Sequence, residues 1–273
     1  DAVLEAKPGQ AAGPASSPGA LTGTAPAADR ERQSGRARYG VAIDVGTTTL
    51  ALELLDRDSG KVLAGVTLLN SQRRYGADVL SRVKAAISGK AEALRSAVTG
   101  DLFRGVTLLL GEASVPACEV GLVTVAANVT MAYLLLGLPC DSLAVAPYTP
   151  ERTRFPDMAA GEVFSAVAGF PLRPDCPVRI VPAISAFVGG DIVAGLVALE
   201  LDGNGERELL VDLGTNAEMA LTGAGKILCA SAAAGPAFEG GRISCGAGGV
   251  PGAVSEVRIE GNRFAFSTIA GRT

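Results

Sequence analysis

Residues 39–273 predict an α/β fold: a first domain with elements in the order βββαβαβα, then an incomplete second copy of its opening strands. Three observations lead there. Short apolar runs bounded by Gly, Asp and Asn alternate with segments whose apolar residues recur every three or four positions; these are strand and helix signals respectively. A strand–Asp-x-Gly-Thr–strand unit occurs twice, at 39–49 and 207–217, and an internal repeat defines architecture before any single element does. The length of 273 residues allows about two domains at ~150 residues each.

The elements follow in order. Residues 1–38 are rich in Ala, Gly, Pro and Ser, with Val3, Leu4 and Leu21 as the larger apolar side chains. Such a segment cannot repay the entropy of ordering, and it reads as a flexible linker. YGVAIDVG from Tyr39 is a buried strand and turn. Thr49–Leu55 places Leu50, Leu52 and Leu54 on one face of a second strand, DRDSGK turns, and VLAGVTLLN is a third. A helix is expected from about Ala77, with Val79, Leu80, Val83 and Ile87 as its apolar stripe, and Leu94, Val98 and Leu102 continue a second stripe. GLVTVAA is the fourth strand, Val129–Leu138 a helix stopped by Gly137 and Pro139, and VRIVPA the fifth strand. Gly189, Gly190 and Asp191 open a last helix, Ile192–Leu201, with Asp191 in the N-cap position.

Composition removes several function classes. Lys plus Arg is 24 and Asp plus Glu 28, a net charge of −4, which argues against a broad nucleic-acid footprint. Histidine is absent, so Ser-His-Asp triads and His-containing zinc signatures are excluded. The five cysteines, Cys118, Cys140, Cys176, Cys229 and Cys245, form no CxxC pair. They read as reduced thiols in a cytoplasmic protein. Val120–Cys140 carries no charge and approaches the ~20 residues a spanning helix needs. It divides, however, into a β-rich half and a helical half around Asn128, so no membrane span is expected. No signal-peptide apolar region opens the chain.

The repeat carries the chemistry. Asp44 pairs with Asp212, Gly46 with Gly214, Thr47 with Thr215 and Thr48 with Asn216, at an offset of 168 residues. Each motif is followed by an alternating strand (Thr49–Leu55, Ala217–Leu221), a Gly-Lys turn and a third strand. Strand-end turns of this kind expose backbone N–H groups and a hydroxyl to phosphate oxygens, and Gly allows close approach. Carboxylates ahead of them suit magnesium, which keeps several waters and takes few protein ligands. Two such turns, one per domain, would clamp a polyphosphate between them.

This constellation resembles the actin-like ATPase superfamily of ribonuclease H-like folds. Asp44–Thr49 looks like its first phosphate loop and Asp212–Asn216 its second. A closer resemblance runs in order through NSQRRYGADVLSRV (70–83), NVTMAYLLLGL (128–138), APYTP (146–150), VPAISAFVGGDIVAGL (181–196), LLVDLGTNAEMAL (209–221) and ASAAAGPAFEGGRISCGAGG (230–249). These are similar to the reductive activators of corrinoid proteins.

The resemblance implies a first ribonuclease H-like domain over 39–205 and the N-terminal part of a second over 206–273. It implies ATP as ligand, contacted by Gly46, Thr47, Thr48, Gly214, Thr215 and Asn216, with Gly235 and Gly240 of GPAFEGG near the nucleotide. Asp44 and Asp212 would hold Mg2+ through water. Asp191 would orient the attacking water, or serve only as the helix N-cap. The activity implied is ATP hydrolysis coupled to reduction of a corrinoid protein from Co(II) to Co(I). The partner would be a corrinoid iron–sulfur protein or a corrinoid methyltransferase, and a homodimer stays open. The electron would come through a 2Fe-2S domain, for which this chain has no cysteine set. Ala126-Ala127-Asn128-Val129 departs from the family's more usual Gly-Asn-Thr. Only 61 residues follow Asp212, so the Gly-rich adenine element is expected to be missing and the chain alone to bind nucleotide poorly. A small-molecule kinase and a non-enzymatic, nucleotide-gated assembly protein of the same superfamily remain alternatives.

Overall fold

The computed structural model describes residues 4–5, 37–232, 234, 252–261 and 263–268. In chain order, β1 (Leu4–Glu5) is a two-residue strand. The three-stranded meander follows as β2 (Tyr39–Val45), β3 (Thr49–Asp56) and β4 (Val62–Leu69). A 3-10 turn at Ser71–Arg74 leads into α1 (Val79–Ala85) and α2 (Ala91–Ala113). Then come β5 (Val120–Ala127), α3 (Val129–Leu136), β6 (Met158–Ala159), α4 (Ala160–Val163), β7 (Pro177–Ile180) and α5 (Gly190–Ala198). The second unit opens with β8 (Glu208–Leu213), β9 (Ala217–Gly223) and β10 (Lys226–Ala232), and β11 (Val254–Glu260) and β12 (Arg263–Thr268) form a separate hairpin.

The first sheet has the order β4-β3-β2-β5-β7-β6. β2 pairs antiparallel with β3 and parallel with β5, and β5 is parallel to β7. The strands thus deliver the ends of β2, β5 and β7 to one edge, where ligands sit in open α/β sheets. β6 and α4, between α3 and β7, have no counterpart in the sequence-based order. β7 is shorter than the VRIVPA run.

One face of this sheet carries Val41, Ile43 and Val45 of β2 opposite Leu54, Leu52 and Leu50 of β3. It packs in the main core with Leu94, Val98, Leu102, Val106 and Leu109 of α2, all fully buried. Each such side chain contributes roughly 1.5–3 kcal/mol relative to exposure. Gly105 is where α2 approaches closest: a Cβ there would lie 2.8 Å from the Leu52 side chain. The helix before α2 differs from expectation. Val83 is buried as the stripe predicts, but Leu80 and Ile87 are exposed and α1 buries Arg82 as well. The reason is a break: Ser88 and Gly89, the latter at φ +88°, leave helical geometry between α1 and α2, so no continuous stripe crosses the junction.

The second sheet has the order β1-β10-β9-β8, with Leu4 and Glu5 paired to Cys229 and Leu228. α5 contacts both β5 and β8 and bridges the two sheets, forming a small core of Val188, Ile192, Leu196, Ala220 and Cys229. In the second unit, Leu209, Val211 and Leu213 stand where the first has Val41, Ile43 and Val45. They are 60%, 44% and 63% exposed, against 2%, 3% and 0%. No helix among the described residues covers this face as α2 covers its counterpart.

Candidate functional site

Each Asp-x-Gly-Thr turn closes a hairpin. In the first, Val45 pairs with Leu50 and four residues, 46–49, make the turn; in the second, Leu213 pairs with Ala217 and three residues, 214–216, suffice. The repeat is therefore one residue shorter at this point in its second copy. Gly46 is required by closure: a Cβ there would lie 2.7 Å from the Thr49 carbonyl oxygen. Gly214 meets no such obstacle, its nearest neighbour lying at 3.8 Å.

The two turns face each other. Thr48 Oγ1 lies 3.4 Å from Thr215 Oγ1, across 167 residues of chain. Between them is a cavity of about 180 Å³ lined by Asp44, Gly46, Thr47, Thr48 and Thr49 from the first turn and by Asp212, Gly214, Thr215, Asn216 and Glu218 from the second, with Asn128 and Asp191 completing the wall. Nine of the residues singled out from sequence thus meet in one place. Gly235 and Gly240 lie outside the described residues.

Asp191 corrects one expectation. The N-cap of α5 is Gly189, and Asp191 lies inside the first turn rather than at the cap. Its Oδ1 accepts the N–H of Ile192 at 2.8 Å, and the carboxylate faces the cavity. The two preceding glycines explain the approach. A Cβ on Gly189 would lie 2.5 Å from Asn128 Cα and 2.7 Å from the Ala127 carbonyl oxygen, and one on Gly190 would overlap the Val181 carbonyl oxygen. α5 starts this close to the end of β5 because those side chains are absent.

Electrostatics mark the cavity. Asp44 is open to solvent on the cavity side, yet the surrounding protein, with added repulsion from Asp191 and Asp212, pushes its carboxyl up to about 6. Desolvation also raises Asp191, with the Ile192 N–H opposing it. Glu218 rises to about 7, first by desolvation and then by the Asp191 charge, partly offset by the hydroxyl of Ser231. Of the described residues, four carboxylates line the cavity and no lysine or arginine does. Among the described residues they do not converge into a ligand set that would grip a bare metal ion. The donor set, oxygen only and spread around the wall, suits a hard cation that keeps its waters.

Glu218 and Asn128 escaped the sequence reading as site residues. At the 168-residue offset Glu218 matches Leu50, an ordinary strand position, but the shorter turn puts it opposite Asp212 in the ladder, with Ser231 Oγ donating to its Oε1 at 3.2 Å. A carboxylate within the alternating strand Ala217–Leu221 was the available signal. Asn128 follows β5 directly and donates from Nδ2 to Thr47 Oγ1 at 3.1 Å; its place between a strand and a helix was the available signal there.

Beneath the first turn lies a buried polar network. Asn70, Gln72 and Arg82 are all fully buried. Arg82 donates from Nε to the Gly76 carbonyl at 2.9 Å and from Nη1 to Gln72 Oε1 at 3.4 Å, and burial lowers its pKa to about 10. This network accounts for the NSQRRYGADVLSRV motif, which the helical stripe did not. No described helix is long and apolar enough to cross a membrane.

Comparison with known proteins agrees with this geometry. Residues 39–204 match the model of the RACo middle region, and residues 206–273 that of the C-terminal domain of RACo, the ASKHA domain. The chain is 32% identical over 237 residues to the corrinoid activation enzyme RamQ of Eubacterium limosum, covering 86% of this chain and 39% of that protein. It is 28% identical over 234 residues to the [Co(II) methylated amine-specific corrinoid protein] reductase of Methanosarcina barkeri, covering 82% and 41%. A solved reductive activator for corrinoid, iron–sulfur protein superposes with a TM-score of 0.78 at 34% identity, over 87% of this chain and 38% of that one. The chain spans about two fifths of the length of these relatives. With an α/β fold, paired Asp-x-Gly-Thr turns and family matches over nearly all of residues 39–273, this chain belongs to the RACo family.

Proposed function

We propose that this chain carries the Mg·ATP cleft of a reductive activator, in which ATP hydrolysis drives reduction of a corrinoid protein from Co(II) to Co(I). The observation that carries the reading is the pair of Asp-x-Gly-Thr turns facing across one cavity, with Thr48 and Thr215 hydroxyls 3.4 Å apart. The relatives, whose names are those of corrinoid activators, supply the reaction class.

Backbone N–H groups and hydroxyls of Gly46, Thr47, Thr48, Gly214, Thr215 and Asn216 bind phosphate oxygens. Because the described lining of the cavity holds four carboxylates and no cationic side chain, a polyphosphate enters with its own cation. Asp44 and Asp212 would hold that magnesium through its waters, and the ion would supply charge neutralisation on the phosphates. Asp191, freed from capping, orients the attacking water.

The first unit covers 39–205 and the second 206–273, joined after α5, so that closure on ATP moves one against the other and changes affinity for the corrinoid protein. The partner is a corrinoid iron–sulfur protein or corrinoid methyltransferase. The electron enters through a 2Fe-2S domain outside this chain. The four described cysteines are free thiols, which supports a reducing, cytoplasmic setting.

The test is Mg·ATP hydrolysis by the full-length protein. Asp44→Ala and Asp212→Ala should each lower it by ~10²-fold or more with the circular dichroism spectrum unchanged. Wild-type turnover in both variants would remove the reading. Formation of Co(I) in an added corrinoid protein, followed by its absorbance with and without ATP, checks the coupled step.

A further inference from the structure

Two asparagines touch the first turn, and each uses its side chain twice. Asn70 is the N-cap of the Ser71–Arg74 turn: its Oδ1 accepts the Gln72 N–H at 3.0 Å. Its Nδ2 donates to the Gly46 carbonyl at 2.9 Å, and its own backbone N–H donates to the Thr48 carbonyl at 2.8 Å. Asn128 is the N-cap of α3: its Oδ1 accepts the Met131 N–H at 3.0 Å, and its Nδ2 donates to Thr47 Oγ1 at 3.1 Å. The amide orientations are not interchangeable. In Asn70 the flipped form would set oxygen against the Gly46 carbonyl, and in both it would set an NH2 against a backbone N–H.

The consequences for the turn are specific. Its carbonyls at Gly46 and Thr48 accept from Asn70, so the N–H groups trans to them across the peptide plane, those of Thr47 and Thr49, point away from Asn70. Thr47 is buried, and its oxygen already accepts from Asn128. A hydroxyl has one donor, so Thr47 retains its proton for an acceptor in the cavity, as an anionic oxygen would be. Asn70 belongs to a further fully buried set: its Nδ2 also lies 3.4 Å from Gln72 Oε1 and 3.8 Å from Met131 Sδ, which Arg82 Nη1 approaches to 3.3 Å. Asn70 is thus anchored on both α1 and α3.

We propose that Asn70 and Asn128 are positioning residues for the first phosphate turn: their side-chain oxygens cap helical turns while their amide N–H groups hold Gly46–Thr48 with its donors aimed into the cavity. The proposal rests on the phosphate-turn reading of this motif. Neither residue needs to touch the nucleotide.

Serine separates the two duties of each asparagine. It caps a helix about as well as Asn, is neutral, and is too short to reach the turn. Asn70→Ser, Asn128→Ser and the cap-deleting Asn128→Ala are compared with wild type in the full-length protein, first without nucleotide. NMR order parameters of residues 46–49 should fall in both serine variants, while the unfolding midpoint of Asn128→Ser stays at the wild-type value and that of Asn128→Ala falls. Order parameters in the 214–216 turn should not change. Mg·ATP affinity should then fall at least tenfold in Asn128→Ser and Asn128→Ala alike. Wild-type order at 46–49 in both serine variants, or loss of affinity in Asn128→Ala with full affinity in Asn128→Ser, would reduce the asparagines to caps and overturn the proposal. Failure of the nucleotide reading looks different: wild type binds no Mg·ATP, while the order of the turn still depends on Asn70 and Asn128.

Discussion

Asp44 and Glu218 set the pH behaviour of the cleft. Their ordinary values, 3.8 and 4.5, rise to about 6 and about 7 in the folded protein. Between these limits the folded state keeps protons that the unfolded chain has released. Stability from these two groups is therefore greatest at about pH 4 and is lost as pH rises toward about 7. Above that window the carboxylates are charged and repel one another, which a bound cation relieves. Thermal unfolding midpoints measured across pH 4–8 without divalent ions should show this decline. Glu218→Gln should flatten its upper part, and Mg2+ should raise the wild-type midpoint most at the alkaline end. Gly189 is a second test at this scale. A methyl group 2.5 Å from Asn128 Cα must displace α5 or the end of β5. Gly189→Ala should cost ~1–3 kcal/mol in urea unfolding and weaken any binding that needs Asp191 in place.

Among the elements, α2 and β8 make a controlled contrast. Leu102 sits fully buried between α2 and the first sheet, and Leu102→Ala should cost ~2–5 kcal/mol. Leu213 occupies the place of Val45 in the repeat but is 63% exposed. Leu213→Ala should change stability of this chain by ~0.5 kcal/mol or less. Equal losses in the two variants, read from chemical denaturation, would mean that the outer face of β8 is covered. α1 shows where pattern reading fails. Of its stripe of Val79, Leu80, Val83 and Ile87 only Val83 is fully buried; Gly89 breaks the helix, and the residue buried beside Val83 is Arg82. A guanidinium held by the Gly76 carbonyl, Gln72 and Met131 has no apolar signature in sequence.

At the scale of the whole molecule the two sheets differ in support. The first is covered by α2 and α3 around a continuous core; the second holds five buried side chains centred on α5. Local stability follows such differences. Native-state hydrogen exchange should protect β2, β3 and β5 far more than β8–β10, and denaturant should open the second sheet at lower concentration than the first. One coincident transition for all amides would contradict this. The two parts meet at α5, which contacts both β5 and β8, and at the Thr48–Thr215 hydroxyls.

The sequence by itself determined the strands of both meanders, the repeat, and nine residues that meet in the cavity. Alternation and Asp-x-Gly-Thr turns are local, and local chemistry sets a hairpin wherever it occurs. Tertiary structure decided the rest. Asp191 faces the cavity because Gly189 and Gly190 let α5 begin against Asn128 and Val181, a contact between segments far apart in the chain. Glu218 enters the site because the second turn is one residue shorter, a shift that a fixed offset of 168 residues hides. Asn128 caps a helix in any local reading, and only the parallel pairing of β5 with β2 brings its amide to the Thr47 hydroxyl. Which face of a repeated hairpin is buried likewise depends on what packs on it, and the same pattern ends covered by α2 in one copy and open in the other.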